Sequence, residues 1–435
     1  MMKSMLTFSV SALVLTSTLS TQTQAPAQAP VPVTAIRAGR LIDPETGTAA
    51  ANQVILVEGT QIRNIGANLA IPAGASIIDL SDLNVLPGLV DAHNHLAMTN
   101  LPGTNLYTNY VLNSTAVRAI QAVSNGIQML SSGFTVVRDL GNNGNYADTA
   151  LRVAIEQRWV PGPTIVNSGL IIGGMGGQLS PTPEMAKDHD IVYPEYIEAD
   201  THDEIIKAVR KNILFGAKVI KICVDCKPYG YSIDDMKLFV SEAANAGLKV
   251  AGHVQTREGA RRAIEAGIWS IEHWQPLDDE LHKMMAAKGI WRAGTETPFT
   301  PYRGSKDVFE RTVAGMKNAY VNKVQMAYST EGSYIPDMTR GEIAINNLLS
   351  WKAAGIPAPA VLKIMTINGY KICDIEKQRG PLKAGFPADI IAVRGDPLGD
   401  IDALRSVQFV MKDGTVFKQN GIVTPEKSFR VAPVN

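Results

Sequence analysis

The sequence predicts an α/β protein in which a (β/α)8 TIM barrel carries a small β-sheet domain built from both chain ends. Eight short apolar segments alternate with helical segments between residues 85 and 331, which is the pattern of a parallel barrel. β-rich sequence both precedes and follows this region. The 435 residues are 45% hydrophobic and 19% charged, a composition that excludes a disordered chain and a coiled coil.

The first residues have the pattern of a secretory signal. Lys3 gives a positive start, residues 6–19 are apolar or small, and residues 21–30 are small, polar and proline-rich. We therefore expect a signal peptide over residues 1–27, secretion to the periplasm, and no membrane insertion after its removal. A membrane anchor is the weaker alternative, because the apolar run is shorter than the roughly 20 residues that a span needs.

Next come the segments assigned to the sheet domain. Residues 54–62 read as a hairpin with Gly59 in its turn, and residues 75–80 as a further strand. The C-terminal region repeats this pattern at residues 389–393 and 407–417, with a turn at Asp413-Gly414. We place the sheet domain at residues 28–85 and 380–435, and the barrel at residues 86–379.

The barrel strands are predicted from apolar runs separated by helix signals. They are residues 85–95, 135–140, 164–170, 219–224, 249–254, 270–274, 289–295 and 325–331. Thr201 with Glu204 and Ser232 with Asp235 fit helix-start capping boxes. Residues 173–200 hold glycines and prolines without a clear period, which predicts a loop over the barrel mouth.

Four of the seven histidines fall at predicted strand ends. His93 and His95 are two residues apart, so on a strand they point to one face, and His253 and His273 end two later strands. Barrel active sites are built at the C-terminal ends of the strands, where these imidazoles would hold a cation. A His-x-His pair alone would be weak evidence.

The other three histidines, His189, His202 and His282, are interpreted as surface residues. The less favoured alternative is that His189 reaches the site from its loop.

Lys221 lies inside an apolar strand. A buried lysine is costly unless its charge is compensated or removed. Two readings stay open from this residue: an ion pair with a carboxylate, or carboxylation by carbon dioxide to give a group that bridges two metals.

Together these motifs resemble the amidohydrolase superfamily, in its imidazolonepropionase-like and prolidase-like (Xaa-Pro and Xaa-basic dipeptidase) branch. The resemblance rests on residues 87–95, Lys221, Gly252-His253, residues 271–273 and the ending at residues 385–398. It implies a barrel with a small β-sandwich and two divalent metal ions, zinc in the first place. His93 and His95 would hold one ion, His253 and His273 the other, and an N-carboxylated Lys221 would bridge them.

Two positions depart from the family pattern. Glu331 stands where relatives carry an aspartate that touches metal and moves the proton, and we expect the same two roles from it. Gln178 stands where relatives often carry histidine, so it is expected to bind substrate by hydrogen bonding without charge. Tyr231 matches a family tyrosine that contacts substrate, and we assign it a catalytic and substrate-binding role; packing beside Ser232 is the alternative. Arg138-Asp139 matches a frequent family pair, which we interpret as a structural ion pair at the barrel end; a catalytic role is the alternative.

Cys223 and Cys226 form a Cys-x-x-Cys motif just after Lys221. A zinc ribbon needs a second cysteine pair, and only Cys373 remains. A redox motif needs a helix N-terminus, whereas Pro228 and Gly230 favour a loop. A local disulfide is compatible with an oxidising compartment, and the sequence leaves that pairing open.

The resemblance implies a secreted hydrolase that cleaves an amide or peptide bond of a dipeptide or N-acyl amino acid. Metal-activated hydroxide would attack, and Glu331 would pass the proton to the leaving amine. Hydrolysis of a cyclic amide, carbamate or ester on the same site is an alternative. Glu331 and Gln178 motivate another, a non-catalytic metal-binding relative. A small-molecule substrate and a homo-oligomer are expected. No nucleic-acid partner is expected, because 41 basic and 41 acidic residues leave no net charge.

Overall fold

Strands and helices follow one another through the described part of the chain. The computed structural model describes residues 32–98, 112–141, 143–177, 195–226, 229–273, 277–298, 305–332 and 338–424. The strands there are β1 Val33–Asp43, β2 Thr48–Glu58, β3 Gln61–Gly66, β4 Ser76–Pro87, β5 Leu89–Asn94, β6 Phe134–Asp139, β7 Thr164–Asn167, β8 Ile171–Gly173, β9 Tyr196–Glu198, β10 Ile220–Cys223, β11 Val250–His253, β12 Ser270–Glu272, β13 Trp291–Ala293, β14 Gln325–Met326, β15 Ile390–Val393, β16 Val407–Lys412, β17 Thr415–Gln419 and β18 Ile422–Val423. The helices are α1 Thr115–Ser131, α2 Ala147–Glu156, α3 His202–Leu214, α4 Ile233–Ala244, α5 Arg257–Ala266, α6 Asp279–Lys288, α7 Lys306–Val321, α8 Arg340–Asn346, α9 Leu348–Ala353, α10 Ala358–Met365 and α11 Ile367–Ile372, with a 3-10 turn at Ile401–Arg405.

One sheet contains strands from both chain ends. Its order is β18-β17-β16-β15-β4-β1-β2-β3, so β15 lies between a C-terminal and an N-terminal strand. β15 pairs antiparallel with β4, with Ile390 opposite Pro87. The buried faces of these strands form a separate apolar cluster that includes Ile36, Val85 and Phe409. The predicted sheet from both termini is therefore confirmed, whereas the predicted signal segment lies outside the described residues.

Eight parallel strands close into the barrel. β5, β6 and β7 form one hydrogen-bonded group, and β10 to β14 belong to a second. At one seam the backbone N–H groups of Lys218 and Val219 donate to Asn167 O, at 2.7 and 3.2 Å. At the other, Ala92 N donates to Tyr328 O at 2.8 Å. These bonds join the two groups on both sides, which confirms the predicted (β/α)8 barrel.

The strands are shorter than the sequence predicts. The strand predicted over residues 164–170 ends at Asn167, because the chain turns at Gly169, whose φ is 67°, and the separate strand β8 begins at Ile171. β8 pairs with β9, a strand within the segment that was predicted to be a loop. That loop prediction is therefore wrong at Tyr196–Glu198, while residues 178–194 lie outside the described part of the chain.

Helix starts follow the predicted signals. Thr201 and Glu204 form a capping box at α3, and Ser232 with Asp235 forms one at α4. The barrel interior is filled by small or branched side chains, including Val90, Val136, Val219, Ala251 and Ala293. In the described residues, no helix is both long and apolar enough to cross a membrane.

Candidate metal centre

The first histidine pair lies at the end of β5. His93 Nδ1 is 2.7 Å from Glu272 Oε2, and His95 Nδ1 is 2.8 Å from Gly141 O. A carbonyl oxygen only accepts hydrogen bonds, so His95 carries its proton on Nδ1. Burial lowers the pKa of His93 well below its usual value and keeps the ring neutral, so it too donates from Nδ1 to the carboxylate. Both rings therefore present a lone pair on Nε2, the form in which histidine binds metal.

Glu331 is surrounded by three of the predicted ligands. Its Oε2 lies 3.5 Å from His93 Nε2 and 3.6 Å from His273 Nδ1, and its Oε1 lies 3.6 Å from His95 Nε2. Burial alone would raise the pKa of Glu331, but His273, His93 and His95 hold it well below its usual value. The side chain is therefore ionised at neutral pH.

The donor atoms of this cluster fit a metal ion. His93 Nε2 and Glu331 Oε2 are buried, and neither has a hydrogen-bond partner among the described residues. Buried polar atoms are rarely left in that state. Two histidine nitrogens and a carboxylate oxygen within 4.8 Å of one another are a common ligand set for zinc. A cation held by His93, His95 and Glu331 would satisfy all three groups.

The other two predicted ligands lie beside this cluster. The rings of His253 and His273 are 4.3 Å apart between centroids, and those of His93 and His273 are 5.0 Å apart. Burial lowers the pKa of His253 well below its usual value, and that of His273 to about 4. All four histidines thus converge from the ends of β5, β11 and β12, as the sequence predicts.

Lys221 enters the barrel from β10 with only 2% of its surface exposed. Among the described residues it has no hydrogen bond, and no carboxylate lies within 4.0 Å of its Nζ. Burial lowers its pKa to about 8, although Glu272 and Glu331 act in the opposite direction. The alternative of a direct ion pair is therefore not found. A substantial neutral fraction at mildly alkaline pH is what carboxylation requires.

Sequence reasoning missed Glu272. This fully buried carboxylate accepts hydrogen bonds from His93, Ser270 Oγ and Arg138 Nη2, the last at 2.8 Å. Burial would raise the pKa of Glu272, but Arg138 and His93 lower it, so the carboxylate is ionised. Its position two residues after Ser270, on the inward face of β12, is the signal that could have identified it.

The structure also corrects the predicted ion-pair partner of Arg138. The predicted pair was Arg138 with Asp139, but adjacent residues on a strand point to opposite faces. Arg138 faces the barrel interior and pairs with Glu272, whereas Asp139 accepts from the backbone N–H of Leu96 at 2.9 Å.

A polar network holds the end of β14 against β5. Asp91 accepts from Asn94 Nδ2 at 2.7 Å, from the backbone N–H of Thr330 at 3.2 Å and from the Thr330 hydroxyl. Glu331 N donates to His93 O at 2.9 Å. Burial raises the pKa of Asp91 to about 6, while these hydrogen bonds oppose the shift. The network fixes where the Glu331 carboxylate enters the site.

Left-handed backbone occurs at three residues around the mouth. The φ angles are 72° at His273, 51° at Thr295 and 62° at Glu331. Side-chain Thr295 Oγ1 lies 2.9 Å from His273 Nδ1. Threonine, which is β-branched, and glutamate adopt this conformation rarely, so the backbone at Thr295 and Glu331 is held against its local preference.

The remaining predicted residues have mixed outcomes. The Tyr231 hydroxyl donates to Ala199 O at 2.8 Å, so its hydrogen is engaged, and burial raises its pKa. Gln178 and His189 lie outside the described residues. His202 is exposed as predicted, but His282 is buried and the surface prediction for it is wrong.

The two cysteines of the Cys-x-x-Cys motif are bonded to each other. Cys223 and Cys226 are paired as a disulfide, with their Cα atoms 5.7 Å apart. Cys373 is a buried free cysteine.

Comparison with known proteins agrees with this geometry. The model of the amidohydrolase family matches residues 84–417. The chain belongs to the amidohydrolase family. This amidohydrolase is 26% identical over 431 residues to ochratoxinase of Aspergillus niger, covering 90% of this chain and 88% of that protein. It is 26% identical over 412 residues to imidazolonepropionase of Alkaliphilus metalliredigens, and that alignment covers 85% of this chain and 91% of the imidazolonepropionase.

A solved structure extends the comparison. A Xaa-Pro dipeptidase with methionine bound in its active site is 26% identical and covers 89% of this chain and 100% of its own, with a TM-score of 0.76. Family membership confirms the resemblance drawn from the motifs and the expected enzyme class, a hydrolase acting on carbon–nitrogen bonds. Metal ions are typical of the family, in agreement with the ligand cluster.

Proposed function

We propose that this amidohydrolase is a secreted binuclear-metal enzyme that cleaves an amide or peptide bond of a small substrate, such as a dipeptide or an N-acyl amino acid. The observation that carries the proposal is the convergence of four histidines, Glu331 and the buried Lys221, which has no ion pair within the described part of the chain, at the C-terminal mouth of the barrel.

The ligands divide into two sets. His93, His95 and Glu331 would hold one ion, and His253 with His273 the other. Lys221, carboxylated on Nζ, would bridge them. Zinc suits this mixture of imidazole and carboxylate donors. When bound, such ions polarise a carbonyl group and make water nucleophilic at neutral pH.

The chain's own groups perform the remaining work. Glu331 is ionised and lies among the ligands, so it can take a proton from the attacking water and deliver it to the leaving nitrogen. Glu272 accepts a hydrogen bond from His93 Nδ1, which keeps the proton on that nitrogen and leaves Nε2 available to a metal. Burial of these groups in the barrel keeps bulk water from competing for the donors.

The substrate class is supported by the relatives. One solved relative is a Xaa-Pro dipeptidase, and the curated relatives include ochratoxinase and imidazolonepropionase. A site at the mouth of a barrel is a pocket, which suits a small molecule better than a long chain. Secretion and a homo-oligomeric state are part of the proposal, and no nucleic-acid partner is included because the net charge is zero.

The deciding experiment combines metal analysis with a substrate panel. The purified protein would be analysed for zinc and then assayed by amine release from Xaa-Pro dipeptides, Xaa-basic dipeptides and N-acyl amino acids. We expect two metals per chain and turnover of at least one of these classes. Turnover of cyclic amides alone would favour the alternative chemistry. Tight metal binding without any turnover would indicate a non-catalytic relative.

A further inference from the structure

Two sulfur atoms lie next to one of the predicted metal ligands. Cys223 and His253 are directly opposite each other in the pairing of β10 with β11. The Sγ atoms of Cys223 and Cys226 and a ring nitrogen of His253 all lie within 4.8 Å of one another. Cys223 follows Lys221 by two residues, so both side chains belong to the same face of β10. The sulfurs therefore border the metal centre.

The segment that carries the sulfurs is tied to the segment that carries His253. Asp225, which lies between the cysteines, is 5% exposed and accepts from Gln255 N at 2.7 Å and from Thr256 N at 2.8 Å. Val224 N donates to His253 O at 2.9 Å. These bonds do not depend on the sulfur–sulfur bond. The three potential ligand atoms thus stay close when that bond is broken.

The ligand types favour a soft cation. Thiolates select zinc, cadmium and similar ions, and two cysteines with one histidine form a known three-ligand zinc set. In the disulfide the sulfurs are bonded to each other and are poor ligands. A phosphine reduces the bond by two electrons: with one water it becomes the phosphine oxide, the sulfur–sulfur bond breaks, and each sulfur receives a proton. Those protons leave when the thiolates bind a metal.

We propose that the reduced chain binds one thiophilic divalent cation through Cys223, Cys226 and His253, and that the disulfide closes this site. The inference does not depend on which bond the enzyme hydrolyses. Because His253 is also a predicted ligand of the catalytic centre, the two sites share one imidazole. With the disulfide formed, His253 can bind only the catalytic metal. With the disulfide reduced, His253 can instead bind a cation together with Cys223 and Cys226.

The test uses the full chain stripped of metal and Cd²⁺ as the probe. One sample is kept oxidised, and a second is reduced with a phosphine under nitrogen. Thiol titration after denaturation should find one thiol in the oxidised sample, from Cys373, and three in the reduced sample. Cd²⁺ is then added while the ultraviolet charge-transfer absorption of cadmium–thiolate bonds is followed. We expect a saturating absorption with the intensity of one Cd²⁺ bound by two thiolates in the reduced sample and no absorption in the oxidised sample; Cd²⁺ bound by His93, His95 and Glu331 does not contribute, because that cluster has no sulfur.

Three variants separate the ligands, and circular dichroism checks that each is folded. Reduced Cys226→Ser should lose about half of the absorption or more, because one thiolate remains. Reduced His253→Ala should keep both thiolates but bind Cd²⁺ at least ~10-fold more weakly, because it removes a direct ligand and losing a residue that only hydrogen-bonds to a ligand already costs about 10-fold. Cys373→Ala is the matched control and should retain the full absorption.

Several results would overturn the proposal. Three thiols in the oxidised sample would show that the disulfide is absent, and no absorption in the reduced wild type would show that the thiols do not bind Cd²⁺. Full absorption in Cys226→Ser would exclude Cys226 as a ligand, and unchanged Cd²⁺ affinity in His253→Ala would exclude His253. Cys226 is only half-buried and lies outside β10, so its serine variant is the one expected to fold without difficulty.

Discussion

His93 Nδ1 lies 2.7 Å from Glu272 Oε2, and both side chains are completely buried. The contact is a carboxylate–histidine pair behind a metal-binding nitrogen, an arrangement that fixes the ring orientation and raises the basicity of the ligand. Arg138 compensates the same carboxylate from the other side. Behind the candidate metal centre, the barrel interior therefore holds a completely buried pair of opposite charges.

The first prediction concerns Glu272. Glu272→Gln should lower zinc affinity about 10- to 100-fold, because the amide no longer provides charge behind His93. It also leaves Arg138 uncompensated, so the free energy of unfolding of the metal-free protein should fall by about 3 kcal/mol. Chelator competition and urea unfolding measure the two effects. Glu156→Gln is the control, since it removes an exposed carboxylate paired with Arg152 and should change neither quantity. Unchanged zinc affinity in Glu272→Gln would exclude the supporting role.

The second prediction concerns Lys221. Lys221→Ala should lose most bound metal and activity, because it removes the proposed bridge and leaves a cavity. Short-chain carboxylic acids should restore part of both, since they supply the missing carboxylate. Metal analysis with and without added acid is the measurement, and Lys218→Ala, which alters an exposed lysine, is the control. Wild-type metal content and turnover in Lys221→Ala would remove the bridge from the proposal.

The third prediction concerns Glu331. Glu331→Gln keeps the shape but removes the basic carboxylate, so turnover should fall roughly 100- to 10,000-fold. Assays at saturating zinc separate this loss from weaker metal binding, because Glu331 also lies 3.5–3.6 Å from three histidine nitrogens. Glu331→Asp should also be impaired, since a shorter side chain withdraws the carboxylate from those nitrogens by about 1 Å. A wild-type rate for Glu331→Gln would show that the proton moves through another group.

The fourth prediction is a pH dependence at His282. Burial, with a contribution from the nearby positive charge of Arg292, lowers its pKa to about 4 in the folded state. The unfolded chain, with a histidine pKa near 6.5, binds the proton first as the pH falls, so stability is lost between about pH 6.5 and 4. The expected loss is about 3 kcal/mol.

His282→Gln should make that loss smaller. Urea unfolding of the metal-free protein at pH 7 and pH 4.5 gives the difference for each variant. The slope with pH is the readout, because the variant also changes the hydrogen bond to Asn318. The control His202→Gln alters a histidine whose side chain is 64% exposed and should keep the wild-type slope. An identical slope in His282→Gln would contradict the assignment.

The fifth prediction concerns the proposed domain limits. β15 is hydrogen-bonded to β4 on one side and to β16 on the other. Deleting the chain from Ala388 should expose the edge of β4 and part of the apolar cluster, lowering Tm and promoting association. Calorimetry and light scattering test this. A truncated chain that melts like the wild type and stays monodisperse would show that the N-terminal strands do not need their C-terminal neighbours.

The barrel and the positions of the histidines at its mouth could be predicted because they follow from local patterns. Apolar runs ending in His93, His253 and His273 mark both the strands and the end at which they meet. Each of these inferences uses residues that are close in the sequence.

The features that could not be predicted depend on contacts between residues that are far apart in the sequence. Arg138 and Glu272 are separated by 134 positions, and only the closed barrel brings them together. The early end of β7 at Asn167 depends on the turn at Gly169, which packs closely against Tyr146 and Asn212. The burial of His282 depends on helix packing, because a histidine on a polar helix looks exposed from the sequence alone.

The left-handed residues at the mouth have a consequence for protein engineering. Left-handed backbone at a residue other than glycine costs on the order of 1–3 kcal/mol. Replacing His273, Thr295 or Glu331 by glycine would relieve the backbone, so a search for thermostable variants would tend to recover such changes. The same changes would delete a proposed ligand, the hydroxyl hydrogen-bonded to it or the proposed proton carrier. Selection for heat resistance and selection for turnover should therefore diverge first at these three positions.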